Sequence, residues 1–420
     1  MSNWIKFSFG NFGNFWKKPI YADWAATTPL HREVKRAMKK VQKIWANPSA
    51  IYREGVEAKK ALENMRIKSA RVLGVKPEEI YFTSGGTEAN ATIIQGVLRT
   101  KLENGVKPQD VHIVSTPIEH SSVLETLKLF EKHGVKVTYV SPGPDGVVRA
   151  DEILEAITPA TVLVTCMYAN NEIGTIQPVS KIGAGIRKIR SEKLGQSGET
   201  TFPIFHVDAS QAPLWLSCEL EGLRADAMTL DAHKMQGPKG VGVLVVRRNV
   251  AFEPLMVGGG QERGKRPTTE SLELITGFTT ALELAQKERE GKSKNATAVQ
   301  KYFFDQLAKE IPQAVINGSM EKRLPNNVNI SLPNISDPEM AVLQLDKAGI
   351  ACSTKSSCLK GEENSYVVET LGGQTLVSVG KDGASDDAEK WRSRNTLRFT
   401  FSAEMGRGEV DEIIKALRDI

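Results

Sequence analysis

Short apolar runs rich in β-branched residues alternate along this chain with amphipathic stretches of helical period. Runs at 80–83, 111–115, 136–140, 161–167, 204–208, 227–230 and 242–247 read as strands. Helical patterns such as 88–98 and 122–133 lie between several of them. A strand that is apolar at successive positions is buried on both faces, and intervening helices supply the cover. The pattern predicts an α/β fold around a mostly parallel seven-stranded sheet.

The character changes after about residue 275. Positions 277–311 read as a long, charged, mostly helical stretch with a break near Gly291. Strand-like runs at 328–332 and 396–401 follow, with helices between and after. This predicts a large domain over 21–275, whose first residues join the small lobe, and a smaller α/β domain over 276–420. Two polar stretches, 191–201 and 372–394, read as surface loops. Residues 1–20 form an N-terminal arm in which Trp4, Phe7, Phe9, Phe12, Phe15 and Trp16 are interleaved with Gly, Asn and Lys. It lacks the continuous apolar core of a secretory signal. It reads as an arm that packs on the body or a partner subunit, or that docks on lipid or protein.

Composition adds mainly exclusions. Apolar residues make up 40% and charged residues 25% of the 420 positions, as in ordinary globular proteins. The net charge of +5 is a mild excess without a dense basic block, so direct nucleic-acid binding is not expected. No apolar run is long enough to cross a bilayer. The four cysteines, Cys166, Cys218, Cys352 and Cys358, are too few and irregular for a disulfide framework. A reducing, cytoplasmic setting fits them. None has metal-ligand spacing, so no zinc or iron–sulfur site is expected.

Three motifs carry candidate chemistry. Thr83-Ser84-Gly85-Gly86-Thr87-Glu88 follows a strand and opens a helix. Glycines there let backbone N–H groups approach an anion such as phosphate, though a Gly-Gly turn is also a plain connection. In His206-Val207-Asp208-Ala209-Ser210-Gln211, a strand ends in a carboxylate. Asp208 can pair with a protonated ring nitrogen, or cap a helix. In Leu230-Asp231-Ala232-His233-Lys234, a lysine follows an apolar strand and precedes the glycine-rich turn Gly237-Pro238-Lys239-Gly240. A desolvated lysine is a usable amine nucleophile, whereas a snorkelling one is only a surface charge. Together they offer a phosphate cradle, an acid for a pyridine nitrogen and a Schiff-base lysine, the three things pyridoxal phosphate needs.

From Tyr21 to the C-terminus the chain resembles the cysteine desulfurase family, in the class V aminotransferase group of fold-type I pyridoxal-phosphate enzymes. The resemblance rests on the stretch from Tyr21 through Pro29, on Ala46-Asn47-Pro48-Ser49, Ser-Gly-Gly-Thr-Glu at 84–88, and Glu119-His120. It continues in Asn170-Asn171-Glu172-Ile173-Gly174, the motif at 206–211, His233-Lys234, and the run Gly258-Gly259-Gly260-Gln261-Glu262-Arg263-Gly264. The resemblance implies the following roles. Lys234 anchors the cofactor, Asp208 holds its pyridinium proton, Gln211 bonds the ring oxygen, and His120 stacks on the ring and relays protons. Gly86, Thr87 and His233 contact the phosphate, with Thr269 doing so from the other subunit of a homodimer. Asn171 touches both cofactor and substrate, while Arg398, Ala26 and Thr27 lie toward the substrate.

The resemblance also makes Cys358 the sulfur acceptor. It sits in a polar segment, 353–363, flanked by Lys355 and Lys360, and nearby positive charge lowers a thiol pKa. The implied reaction removes sulfur from L-cysteine, releases L-alanine and leaves a persulfide on Cys358. That persulfide would pass to an iron–sulfur scaffold or a tRNA-thiolation protein. Cys352 reads as packing, and Cys166 as a buried strand residue. Alternatives are a selenocysteine lyase or other class V lyase or aminotransferase, and a cofactor-binding scaffold without turnover.

Some positions depart from the family pattern. Asp231 stands in the cofactor set where a small hydroxyl residue usually touches phosphate. A carboxylate there repels phosphate unless it is turned away, protonated or bridged. Arg266-Pro267-Thr268-Thr269 replaces the usual Arg-Ser-Gly-Thr. Tyr52 lies near the place of a missing histidine, and the 372–394 stretch is longer than usual.

Overall fold

The structure is a computed structural model that describes residues 19–197, 202–335, 337–354, 364–372 and 387–420. Its strands, in chain order, are β1 (Ile20–Tyr21), β2 (Ile80–Thr83), β3 (His112–Ser115), β4 (Lys136–Tyr139), β5 (Thr161–Thr165) and β6 (Ile204–Asp208). They continue as β7 (Ala227–Asp231), β8 (Gly242–Val246), β9 (Val315–Ile316), β10 (Asn327–Ser331), β11 (Ile350–Ala351) and β12 (Thr396–Thr400). Seven of them form the main sheet in the order β2-β8-β7-β6-β5-β3-β4. Every pairing is parallel except the two made by β8, which runs against both β2 and β7. The expected α/β architecture is present, with the strand bounds read from sequence off by at most two residues at either end.

Period-two alternation explains why these strands look uniformly apolar. Ile113, Leu163, Ile204, Ala227 and Leu244 join a core on one face, under the helix Gly86–Glu103. Their neighbours Val114, Val164, Phe205, Met228 and Val245 join the core on the other face. A sheet covered on both sides must be apolar at both parities. Strand β4 lies at the edge, and its alternate residues are exposed.

Beyond the main sheet, β12-β10-β9 form an antiparallel sheet, and β1 pairs in parallel with β11. This draws the start of the described chain against residues far along it. The break anticipated near Gly291 does not occur: one helix runs unbroken from Leu272 to Glu310. Gly291 faces open space, so a glycine there costs only about 1 kcal/mol, and the surrounding good helix formers carry the helix through. The stretch read as a loop at 191–201 is helical up to Ser197, the end of Val179–Ser197. The end of the second expected loop is also helical, over Asp387–Arg394. The remainder of both stretches, most of the 353–363 segment and nearly all of the N-terminal arm lie outside the described residues. No described helix is long and apolar enough to cross a membrane.

Candidate active site

The parallel strands deliver the candidate residues to one edge. Asp208 ends β6, Asp231 ends β7, and His233 and Lys234 sit in the single turn that follows. His120 comes from the connection after β3, and Gly86 and Thr87 open the helix after β2. Crossover connections leave a crevice at the carboxyl ends of parallel strands, and that is where these groups converge. They line a cavity of about 170 Å³ together with Ala25, Ala26, Asn171, Gln211 and Arg398. The backbone of Gly85 can approach β8 because Gly242 lacks a side chain; a Cβ at Gly242 would lie 2.6 Å from the Gly85 carbonyl carbon.

Lys234 does not snorkel. Its Nζ donates to the carbonyls of Ala25 at 2.7 Å and Ala26 at 2.8 Å, inside the cavity. Gln211 Nε2 also donates to the Ala25 carbonyl, at 3.0 Å. Asp208 is buried, and both of its oxygens are held. Asn90 Nδ2 donates to Oδ2 at 2.7 Å, while the Ser210 hydroxyl and backbone N–H donate to Oδ1 at 2.6 and 2.9 Å. No helix begins after Asp208, so the capping alternative gives way to a turn closed by Ser210. His120 caps the helix Ser121–Glu131 through Ser122, whose hydroxyl is 2.9 Å from its Nδ1.

Beneath this group lies Glu119, fully buried, with Oε1 accepting from the Thr116 hydroxyl and the Met167 N–H. Burial pushes its carboxyl up to about 8, aided by the nearby Asp208 charge and opposed by those two hydrogen bonds. His206, buried in β6, bridges the hydroxyls of Thr165 and Thr229. Desolvation drives it down to about 4 against the Asp208 charge, so at neutral pH it is a neutral core histidine.

On the substrate side, Arg398 reaches in from β12 with 1% exposure. It donates to the Asn171 carbonyl at 2.9 Å and to Asp23 Oδ1 at 2.7 Å. Thr27 does not line the cavity; its hydroxyl meets His233 Nδ1 at 3.1 Å. Thr269 is exposed and lines a separate depression with Thr268 and Glu262, away from its own chain's cavity. Cys358 lies outside the described residues. The other three cysteines are buried: Cys166 is pushed well up by burial, and Cys218 and Cys352 are each pushed up to about 12.

Asn90, Ser122, Ser210 and Asp23 escape sequence reasoning. A faint signal existed for Asn90, which stands four residues after Gly86 and so on the same helix face. Ser210, two residues after Asp208, is the spacing of a side-chain-closed turn.

The donor set fits a pyridoxal ring. An amine faces a buried carboxylate across a cavity walled by an imidazole. The Oδ1 atoms of Asn90 and Asn171 and the Nε of Arg398 are buried there without a partner among the described residues. The phosphate end fits with one departure, since Asp231 Oδ2 already accepts the Gly86 N–H at 2.7 Å. An amine and a carboxylate so placed, at the carboxyl edge of this sheet, are the groups that a pyridoxal-phosphate enzyme supplies to its cofactor.

The class-V aminotransferase family model matches residues 20–413. The chain is 37% identical over 407 residues to "Cysteine desulfurase IscS" of Dictyoglomus turgidum, covering 96% of each protein. It is 36% identical to the enzyme of that name from Methanosarcina thermophila, over 89% of this chain and 90% of that one. A solved "NifS-like protein" superposes with a TM-score of 0.82 at 32% identity, over 96% of this chain and 98% of the other. This chain belongs to the cysteine desulfurase family of class-V aminotransferases, whose members depend on pyridoxal phosphate.

Proposed function

We propose that this chain is a pyridoxal-phosphate-dependent cysteine desulfurase that strips sulfur from L-cysteine, releases L-alanine and carries the sulfur as a persulfide on Cys358. The observation that carries the reading is the Lys234 amine held inside a cavity that also presents Asp208, His120 and Arg398. Bound pyridoxal phosphate supplies an electron sink for the pair left when a substrate α-proton departs.

The chain's residues would do the rest. Lys234 would hold the cofactor covalently and, once displaced by the substrate amine, carry the α-proton on Nζ. Asp208, its two oxygens fixed by Asn90 and Ser210, would keep a proton on the ring nitrogen. His120 would cover the ring face. Arg398 and Asn171 would take the substrate carboxylate, a natural partner for a guanidinium fork. The Cys358 thiolate would attack the substrate sulfur: an S–S bond forms, the C–S bond breaks, and its electron pair returns to carbon, which is protonated to alanine. Elimination supports Cys358 as acceptor, because the three described cysteines are buried with raised pKa values and a sulfur carrier must be an accessible thiolate.

A homodimer is part of the proposal. Thr269 is exposed and apart from its own cavity, so any phosphate contact it makes would serve another chain's site. Trp45, Ile51 and Val257 are 78%, 96% and 90% exposed, an apolar set that a second copy would cover. A cytoplasmic iron–sulfur scaffold or tRNA-thiolation protein would receive the sulfur. The test is to incubate the protein with L-cysteine and a reductant and to measure alanine and sulfide together. Equal release that disappears in Cys358→Ser supports the reading. Cofactor-loaded protein that forms neither product overturns it, and undiminished release from Cys358→Ser removes the persulfide step.

A further inference from the structure

The phosphate end of the cavity holds an anion that belongs to the chain itself. Gly86 opens the 18-residue helix Gly86–Glu103, whose first N–H groups lack helical partners and whose dipole favours negative charge. Asp231 Oδ2 takes the Gly86 N–H at 2.7 Å. A Cβ built on Gly85 would lie 3.3 Å from that oxygen, and one on Gly86 3.2 Å, so the carboxylate rests directly over the Gly-Gly turn. Its other oxygen accepts the His233 N–H at 3.3 Å and lies 3.5 Å from His233 Nε2. Burial pushes the His233 imidazole down, Asp231 opposes this, and Lys234 and Lys239 reinforce it. The imidazole is therefore a weak counter-charge for the carboxylate. A phosphate arriving at this turn meets a donor already engaged and a like charge within a few ångströms.

We propose that Asp231 is an internal stand-in for the cofactor phosphate, a positioning residue that sets how strongly the protein prefers a phosphorylated over an unphosphorylated pyridoxal aldehyde. The inference rests on the pyridoxal-phosphate reading above and deepens it. In this structure the carboxylate caps the helix through the Gly86 N–H. On cofactor binding it must leave the Gly86 N–H and tolerate the phosphate charge. The residues facing the ring, Asp208, His120 and Lys234, are unaffected by this exchange. The phosphate therefore adds less to affinity here than a small hydroxyl residue at position 231 would allow.

The test uses the full chain stripped of cofactor, in wild-type, Asp231→Ser and Asp231→Asn forms. Each is titrated with pyridoxal phosphate and with pyridoxal, following the visible absorbance of the lysine-linked group. Asp231→Ser is expected to bind pyridoxal phosphate roughly tenfold more tightly or better, with pyridoxal affinity unchanged. Asp231→Asn, which keeps the acceptor at Gly86 but not the charge, should fall between and guards against a folding defect in the serine variant. In parallel, inorganic phosphate should raise the melting temperature of cofactor-free Asp231→Ser and leave wild type unmoved. Equal affinity of all three forms for pyridoxal phosphate, or a gain shared equally by pyridoxal, overturns the inference. If no form develops the absorbance with either aldehyde, the pyridoxal-phosphate reading fails, while the inorganic-phosphate arm still decides whether Asp231 guards an anion seat.

Discussion

The two ends of the cavity are built differently although both hang from the same sheet edge. At the ring end, Asp208 has a donor on each oxygen, His120 is fixed by Ser122, and Lys234 by two carbonyls. At the phosphate end, Asp231 occupies an anion position; in the separate depression that Thr269 lines, Thr268 holds φ 129, a left-handed-region value that favours glycine. Arg266, in the same segment, ties it to the helix opening through Glu88 at 2.8 Å. The difference teaches that the chain fills an anion seat with its own carboxylate at one end while it leaves buried acceptors unpartnered among the described residues at the other. Ring chemistry needs a fixed set of charges, whereas phosphate binding is distributed over backbone and hydroxyl groups that can be exchanged singly.

The largest expected effect breaks the ring end outright. Lys234→Ala should lower turnover by about a thousandfold or more, because the proposed covalent anchor and proton carrier would be lost together. Borohydride reduction followed by mass analysis should find no cofactor covalently retained. Glu262→Ala tests the support of the separate depression beside it. Glu262 takes Arg66 through two bonds of 2.7 and 2.8 Å and also the Phe82 N–H at 3.0 Å, deep in the core, which ties the glycine-rich segment to β2. The buried Arg66 would keep only the more exposed Glu63 at 3.2 Å and the Ile80 carbonyl at 2.9 Å, so the loss should cost about 3 kcal/mol in denaturant unfolding, the low end for breaking a buried pair.

Glu119 gives the comparison a pH signature. Its folded pKa of about 8 is above the ordinary 4.5, so the native state favours the protonated acid. The stability tied to that proton is fully present below 4.5 and is lost as pH rises through about 8. Glu119→Gln should remove this loss, and its melting temperature should gain on wild type steadily across that window. A constant gap would show that Glu119 is not neutral in the native protein.

Asn90→Ala should leave the fold intact and slow turnover by about tenfold, the worth of one hydrogen bond to a charged group. A shift in the pH profile of the cofactor absorbance would mark it as acting through Asp208. The smallest effect is expected at the strained position. Thr268→Gly should stabilise the chain by about 1 kcal/mol, strain relief offset by the entropy of glycine.

Much of this was legible beforehand. Strands β2 and β6 were read to the residue, because both faces of the sheet are buried and the apolar runs end where polar turns begin. That Lys234, Asp208, His120, Gly86 and Gln211 would gather at one cavity was legible because each stands at or just past a strand or helix end with a recognisable neighbour pattern. Helix continuity through Gly291 was not, because a lone glycine reads as a break, whereas its cost of about 1 kcal/mol is met by the good helix formers on either side.

By itself, then, the sequence determined the alternation of elements, the order of the motifs along the chain and the residue types at each strand end. Those follow from local period and turn chemistry. It also showed a carboxylate at 231 where the family resemblance implies a small hydroxyl residue, but not what that carboxylate does. Only the tertiary structure decided that Asp231 reaches 145 positions back to the Gly86 N–H, that Asn90 holds Asp208, and that Arg398 meets Asp23 across 375 residues. Such contacts depend on which strand lies beside which and on side-chain direction at the sheet edge, and neither is written in any local stretch of chain.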